Sequence, residues 1–194
     1  SNMIVGLDIG TSKVVCIVGK YNNENKLEIV ALGAYPSSGL KKGVVVNIDA
    51  TTDAISKAVE QAQSMIEEKI SSVFVGIAGN HIKSLNSQGA VGIRDKEVTS
   101  YDVDRVIDSA QAVSIPSDQR VLHVLPQEFV IDGQEVSLDP LGMSGVRLEA
   151  KVHLVTCANS AIKNIEKCIK NCGLGVDGFV LEQLASSHSI LSSD

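Results

Sequence analysis

Aromatic residues are scarce in this chain of 194 residues: they make up 3% of it, and tryptophan is absent. Such a composition offers no stacking platform for single-stranded nucleic acid and no aromatic belt at a membrane interface. Basic residues are also a minority, because 17 Lys and Arg stand against 23 Asp and Glu, and they are scattered along the chain. The net charge of -6 argues against broad nucleic-acid binding. We therefore expect no nucleic-acid partner.

Long apolar runs are absent as well. Runs such as Val73–Ala78 fall far short of the ~18 apolar residues that a membrane-spanning helix requires. The four cysteines lack the C-x-x-C spacing of zinc and redox motifs and are too few for a disulfide scaffold, which favours a reducing cytoplasm. No signal peptide is recognisable, and Ser1 and Asn2 resemble the remnant of a cleaved tag, so the natural chain is expected to begin at Met3.

The rest of the composition, with 44% hydrophobic residues, 16 Gly and 4 Pro, is typical of a folded globular protein. Three β-rich segments come first, separated by Gly-Thr-Ser and by Asn-Asn-Glu-Asn. They predict a three-stranded antiparallel meander over residues 4–9, 13–21 and 26–35. A helix capped by Asp49 and an apolar strand at Val73–Ala78 follow. This part of the sequence therefore predicts half of a layered α/β domain.

The hydrophobic pattern changes between His81 and Cys157. Four segments predict the order strand, helix, strand, strand: Ala90–Ile93, a helix carrying Val103 to Val113, Arg120–Ile131 and Gly145–Cys157. Such an arrangement is typical of a small insert packed on one sheet.

The first pattern returns after Ala158. A third helix ends at Gly173, a strand follows over Val176–Leu181, and a further helix is predicted to begin at Glu182. We therefore predict a discontinuous domain, residues 3–82 with 159–194, that is interrupted by a second domain at residues 83–158.

The first turn of the chain carries the polar groups expected of a phosphate-binding site. Gly10 lets backbone N–H groups approach a phosphate closely, and Thr11 and Ser12 add hydroxyl donors. Lys13 can offset phosphate charge, and Asp8 can hold Mg²⁺ through the water shell of the ion. The alternative is an ordinary hairpin with a glycine turn, and the turn alone does not decide between the two.

Three further features are weaker candidates. Glu182 follows a strand at a position that faces the ligand crevice of layered α/β domains, which suits a water-orienting or magnesium-side carboxylate, but stabilisation of a helix first turn explains it as well. Gly173–Gly178 matches G-x-G-x-x-G, yet it follows a helix and enters a strand, so we expect a helix C-cap and turn. Cys168 and Cys172 share an apolar helix face and are expected to be core thiols rather than metal ligands.

Three segments together resemble one family. Gly6–Lys13 is similar to the first phosphate motif of the actin-like ATPases. Leu125–Gln134 and Gly142–Thr156 are similar to stretches characteristic of the FtsA family of bacterial cell-division proteins. Two alternatives stay open: the FtsA-like pilus-assembly ATP-binding proteins, which share the insert topology, and the sugar or acetate kinases, which also open with Asp-x-Gly-Thr turns.

The resemblance implies an α/β fold in which an actin-like (ribonuclease H-like) subdomain, incomplete in this chain, carries an inserted strand-helix-strand-strand (SHS2-type) subdomain for protein contacts. It also implies that Asp8, Gly10, Thr11, Ser12 and Lys13 bind nucleotide phosphate. ATP and Mg²⁺ are the implied cofactors, with Asp8 reaching the magnesium ion through water.

The resemblance further implies a scaffold rather than an enzyme. Family members bind ATP, polymerise at the cytoplasmic face of the cell membrane, tether FtsZ filaments there and recruit later division proteins. Glu182 falls in the segment that joins the two phosphate loops of actin-like folds. A second phosphate hairpin, Asp-x-Gly-x-Gly-Thr, and an adenosine-contacting Gly-Gly segment are not found before Asp194. We therefore expect a piece of a longer protein whose FtsZ-contacting region and amphipathic membrane helix lie elsewhere, with weak ATP binding and no hydrolysis.

Overall fold

The computed structural model describes residues 2–77, 82–112 and 115–181. The chain divides into two compact units. The first unit comprises Ser1–Asn80 and Ser160–Asp194, and the second comprises His81–Asn159. The second unit is therefore an insertion in the first.

Both units combine strands and helices. The first unit contains β1 (Met3–Ile9), β2 (Lys13–Tyr21), β3 (Leu27–Pro36), β4 (Leu40–Lys41), β5 (Val44–Val45), α1 (Ile48–Gln63), β6 (Ser72–Ile77), α3 (Asn159–Asn171) and β11 (Gly175–Leu181). The second unit contains β7 (Ile82–Gly92), α2 (Ser100–Ala112), β8 (Gln119–Ile131), β9 (Gln134–Val136) and β10 (Arg147–Ala158).

The first unit is built on a five-stranded mixed sheet with the order β11-β6-β1-β2-β3. β1, β2 and β3 are antiparallel neighbours, which confirms the predicted meander. β6 pairs parallel with β1, and β11 pairs parallel with β6. β4 and β5 form a separate small hairpin. The carboxyl ends of β1, β6 and β11 consequently meet at one edge of the sheet.

Helix α1 packs closely against one face of this sheet. Leu7, Cys16 and Gly33 lie opposite one another in β1, β2 and β3, so they share a face. A Cβ atom added at Gly33 would overlap the carbonyl oxygen of Ala58 in α1. Glycine at this strand position therefore allows the helix backbone to approach the sheet closely. Six apolar side chains of β1 and β2 are buried on the same face: Val5, Leu7, Ile9, Val14, Cys16 and Val18.

The N-cap predicted for α1 is wrong by two residues. Asn47 is the cap residue, because its extended backbone precedes the helix and its side chain accepts a hydrogen bond of 2.9 Å from the N–H of Ala50. Asp49 lies in the first turn, where a carboxylate still interacts favourably with the helix dipole. Asn47 also has a capping side chain, and the helix begins directly after it, at Ile48.

The end of α3 has the geometry predicted for Gly173–Gly178. Gly173 has a φ of 75°, and the N–H of Leu174 donates to the carbonyl of Ile169 at 3.2 Å. The chain then enters β11, so this segment is a helix C-cap and the beginning of a strand, as predicted.

The second unit has the predicted strand-helix-strand-strand order, with the short strand β9 added. Its sheet has the order β7-β10-β8-β9, and α2 packs on one face. The core between them includes Val106 and Ala110 of α2 and Leu148, Val152 and Leu154 of β10.

The predicted extent of the first insert strand is wrong, because β7 covers eleven residues rather than the four of Ala90–Ile93. Ser84, Asn86 and Gln88 are exposed polar residues of this strand, and they alternate with residues that face α2. Because these polar residues interrupt the apolar pattern, the first eight residues of β7 contain no apolar run that would predict a strand. β9 was also missed, since only three residues form it after a tight turn.

Candidate functional site

The predicted phosphate-binding turn lies at the edge of the first sheet where the parallel strands end. It joins β1, the middle strand, to β2. Asp8 of β1 pairs with Gly76 of β6, which in turn pairs with Val180 of β11. Ligands of open α/β sheets bind in the crevice outside the carboxyl ends of the strands. The turn therefore occupies the place where such a sheet binds a ligand.

The turn is narrow and directs its donors to solvent. Ile9 and Val14 form the last strand pair, and the N–H of Gly10 donates to the carbonyl of Lys13 at 3.0 Å. Thr11 is exposed like the two residues after it. A Cβ atom at Gly10 would stand 2.9 Å from the Lys13 carbonyl oxygen, a contact that real Cβ atoms avoid. Glycine is therefore needed for this turn to close as it does.

Several donors in the turn are available to a ligand. Within residues 2–77, 82–112 and 115–181, the backbone N–H groups and hydroxyls of Thr11 and Ser12 have no protein acceptor. The ammonium group of Lys13 forms no ion pair with a carboxylate in those same ranges. Two amides, two hydroxyls and one cation within three residues form a compact set of donors for an anion.

The third strand holds the turn in place. The N–H of Ser37, just after β3, donates to the carbonyl of Ser12 at 3.0 Å, and Lys13 pairs with Pro36 in the ladder. The carbonyls of Ser12 and Lys13 thus accept hydrogen bonds from protein, while the N–H groups of Thr11 and Ser12 have no acceptor in the described ranges. The role of Ser37 is not evident from the sequence, because a backbone contact between residues 25 positions apart leaves no local signal.

Asp8 lies half-buried beside the turn, on the sheet face opposite α1. Burial raises the pKa of the Asp8 carboxyl, and the positive charge of Lys13 opposes this with a smaller effect. A carboxylate that is desolvated in this way is stabilised by a nearby cation. The described ranges contain no group of three or more His, Cys, Asp or Glu that could hold a metal ion directly. A lone carboxylate fits Mg²⁺ that keeps most of its water, because this ion dehydrates reluctantly.

The other candidate residues are not part of this cluster. Glu182 lies outside the described residues, immediately after the end of β11. The thiol of Cys168 is buried and points to the carbonyl of Ile48, and the thiol of Cys172 points to that of Thr52. Cys168 is a core thiol, as predicted, whereas Cys172 is only half-buried, so the prediction of a core position is wrong for that residue. Burial raises the pKa of each thiol.

The comparisons with known proteins agree with this architecture. Residues 79–156, which contain nearly all of the second unit, match the model of the SHS2 domain inserted in FtsA. Over 99% of its length the chain is 62% identical to the cell division protein FtsA of Pseudomonas aeruginosa. The chain belongs to the FtsA family. FtsA of Neisseria meningitidis is 50% identical over 97% of the chain, and FtsA of Escherichia coli is 43% identical over 99%. The chain spans 46%, 45% and 46% of the length of these three FtsA relatives.

The solved structures show the fold of this FtsA-family chain. It superposes on a chain of the PilM-PilN type IV pilus biogenesis complex with a TM-score of 0.65 and 14% identity, over 95% of this chain and 49% of that one. The fold is thus an α/β actin-like subdomain with an inserted SHS2 subdomain, as predicted. The pilus protein shares the fold alone, whereas the FtsA relatives share the sequence as well. None of the helices in the described residues is long and apolar enough to cross a membrane.

Proposed function

We propose that this chain is the part of an FtsA cell-division scaffold that supplies one side of an ATP-binding site and a subdomain for protein contacts. The observation that carries the proposal is the turn at Gly10–Lys13, where the amides and hydroxyls of Thr11 and Ser12 and the ammonium group of Lys13 lie at the edge where the parallel strands of the sheet end. These groups recognise the phosphates of the nucleotide.

Mg²⁺ accompanies the nucleotide in this proposal. Asp8 holds the ion through water. The positive charge of the ion stabilises the Asp8 carboxylate, which burial destabilises. Lys13 offsets part of the phosphate charge from the other side of the turn. Both residues lie beside Gly10, which keeps the turn narrow.

The chain is proposed to bind ATP without hydrolysing it. Phosphoryl transfer depends on positioning and charge stabilisation from both sides of the nucleotide, and the described residues supply one phosphate-contacting element. Weak binding is the expected consequence. The role of the protein is then structural: nucleotide binding supports assembly into filaments and does not drive chemistry on a substrate.

The proposed partners follow from family membership. They are further copies of the protein in filaments, FtsZ through a region outside this chain, and later division proteins through the second unit. The proposed location is the cytoplasmic face of the cell membrane at the division site, reached through an amphipathic helix elsewhere in the full protein. Identity of 62% to an FtsA protein argues against a sugar or acetate kinase, and phosphate transfer from ATP to a sugar or to acetate by the full-length protein would contradict the proposed scaffold role.

The experiment compares two lysine variants in their effect on the phosphorus NMR signals of Mg-ATP. The wild-type chain should broaden these signals, and Lys13→Gln should remove most of the broadening because it deletes the cation of the turn. Lys42→Gln is the matched control, since Lys42 is also exposed and lies in the turn of the β4–β5 hairpin. If both variants lost the same amount of signal broadening, the effect would come from overall charge rather than from the turn, and the proposal would be contradicted.

A further inference from the structure

The outer edge of β7 is an unpaired strand edge. β7 is the terminal strand of the second sheet, and all eleven of its residues pair with β10 on one side only. No strand in residues 2–77, 82–112 and 115–181 pairs with its other side. The backbone groups of that side therefore have no strand partner in these ranges.

The register of β7 with β10 shows which residues direct their backbone N–H and carbonyl groups to the outer edge. The N–H of Ile93 donates to the carbonyl of Val146, so this residue directs its backbone groups toward β10. Successive residues of a strand alternate, and the β7–β10 register has no irregularity. The backbone groups of Ser84, Asn86 and Gln88 accordingly point outward. Consistent with this, the outward carbonyl of Gly92 accepts a hydrogen bond of 3.2 Å from Arg105.

The other sheet edges of the described chain carry protective features that β7 lacks. β3 has a register shift and ends in Pro36. β11 has a register shift as well. β8 contains Pro126 and two register shifts, and β9 covers it with only three residues. β7 has no proline, no bulge and one charged residue, Lys83. Proline, bulges and charge are the means by which natural sheets prevent further pairing, so β7 is the exception.

A second copy of the same strand is disfavoured at this edge. Antiparallel pairing of two β7 strands about their midpoint brings Lys83 of one copy to the end of the other copy's strand, next to its Arg94, so cations meet at both ends of the pair. Like charges that face one another across paired strands are destabilising. A strand of acidic residues has no such conflict.

We propose that β7 is a docking site for an extended acidic peptide segment of a partner protein, which adds to the second sheet as a fifth, antiparallel strand. The partner is acidic because cations flank the edge at both ends. Lys83 at its start and Arg94 just beyond its end form no ion pair with any carboxylate of the described residues. Within the proposed function, which it deepens and on which it rests, the segment belongs to a recruited division protein.

The side chain of Asn86 favours this mode of binding. Its Oδ1 lies 3.0 Å from Nδ1 of His153, a contact that holds the side chain over the sheet face. The side chain is thus directed away from the outward backbone N–H and carbonyl of Asn86, which the register leaves without a strand partner in the described ranges. Main-chain hydrogen bonds supply the affinity in such complexes, and alternate side chains supply the specificity.

The test uses peptides selected from a random displayed library against the whole chain. Selected peptides are expected to be rich in Asp and Glu and to bind less well as salt is raised. Gln88→Pro should weaken their binding about tenfold or more, because it removes an outward N–H without touching the β10 ladder. Gln88→Ala keeps that N–H and is the matched control, for which unchanged binding is expected.

Circular dichroism checks that both variants remain folded. If Gln88→Pro is unfolded, Asn86→Pro and Ser84→Pro repeat the measurement at the other outward positions. Selection of no peptides, or equal binding to a folded proline variant and wild type, would overturn the proposal. Broadening of Mg-ATP signals should be the same in Gln88→Pro and wild type, so failure at this edge and failure of the phosphate site are separate outcomes.

Discussion

The close approach of α1 to β3 predicts that Gly33→Ala strongly destabilises the first unit. The new Cβ atom would overlap the Ala58 carbonyl oxygen and lie 2.8 Å from the Ala62 nitrogen. Both atoms belong to the helix backbone, so no change of rotamer relieves the contact and α1 must move away from the sheet. Overpacking of a core typically costs about 1–3 kcal/mol, and a backbone clash belongs at the upper end of that range.

Thermal unfolding measures this effect directly. A loss of about 3 kcal/mol corresponds to a fall in melting temperature of roughly 6–12 °C for a chain of this size. Gly6→Ala is the matched control, because Gly6 is also a buried strand glycine but a Cβ atom there would have no neighbour within 4 Å. Its melting temperature should stay the same or rise slightly, since alanine restricts the unfolded chain. If the two variants melt alike, the packing argument is wrong.

Two further predictions concern buried polar groups. The pKa of the buried Asp102 carboxyl is lowered, first by the backbone hydrogen bond from Thr99, so its contribution to stability is present above about pH 4 and is lost as pH falls through the folded-state value. Urea unfolding should give a lower free energy of unfolding for Asp102→Asn than for wild type at pH 7, and a smaller difference between the two at pH 3. A difference that does not change with pH would contradict this. Burial raises the pKa of Cys16 and of Cys172 to about 11, so alkylation at pH 8 should be slow in the folded chain and fast in urea. Rapid labelling of either thiol in the folded chain would refute that assignment.

Features of the fold that depend on neighbouring residues could be predicted from the sequence. The meander follows from three apolar segments with short polar turns, and the C-cap at Gly173 follows from a glycine after an amphipathic helix. The polar groups of the phosphate-binding turn lie within six residues, from Asp8 to Lys13, so their proximity was also evident.

Features that depend on distant residues could not be predicted in this way. The hydrogen bond from Ser37 to Ser12 requires the return of β3 to the turn. The cap of α1 was predicted at Asp49, but Asn47 has a capping side chain as well, and the position of the first helical turn decides between them. The full length of β7 depends on its pairing with β10. This pairing keeps polar residues in a strand that their own β propensity does not predict.

The central claim is that the amides of the Gly10–Lys13 turn bind the phosphates of ATP. The most direct measurement is the titration of backbone amide NMR signals of the isotope-labelled chain with Mg-ATP. The signals of Gly10, Thr11 and Ser12 should shift progressively and much further than those of Asp132 and Gly133, which form a comparable exposed turn in the second unit. Shifts absent from the first turn, or equal in the two turns, would contradict the account.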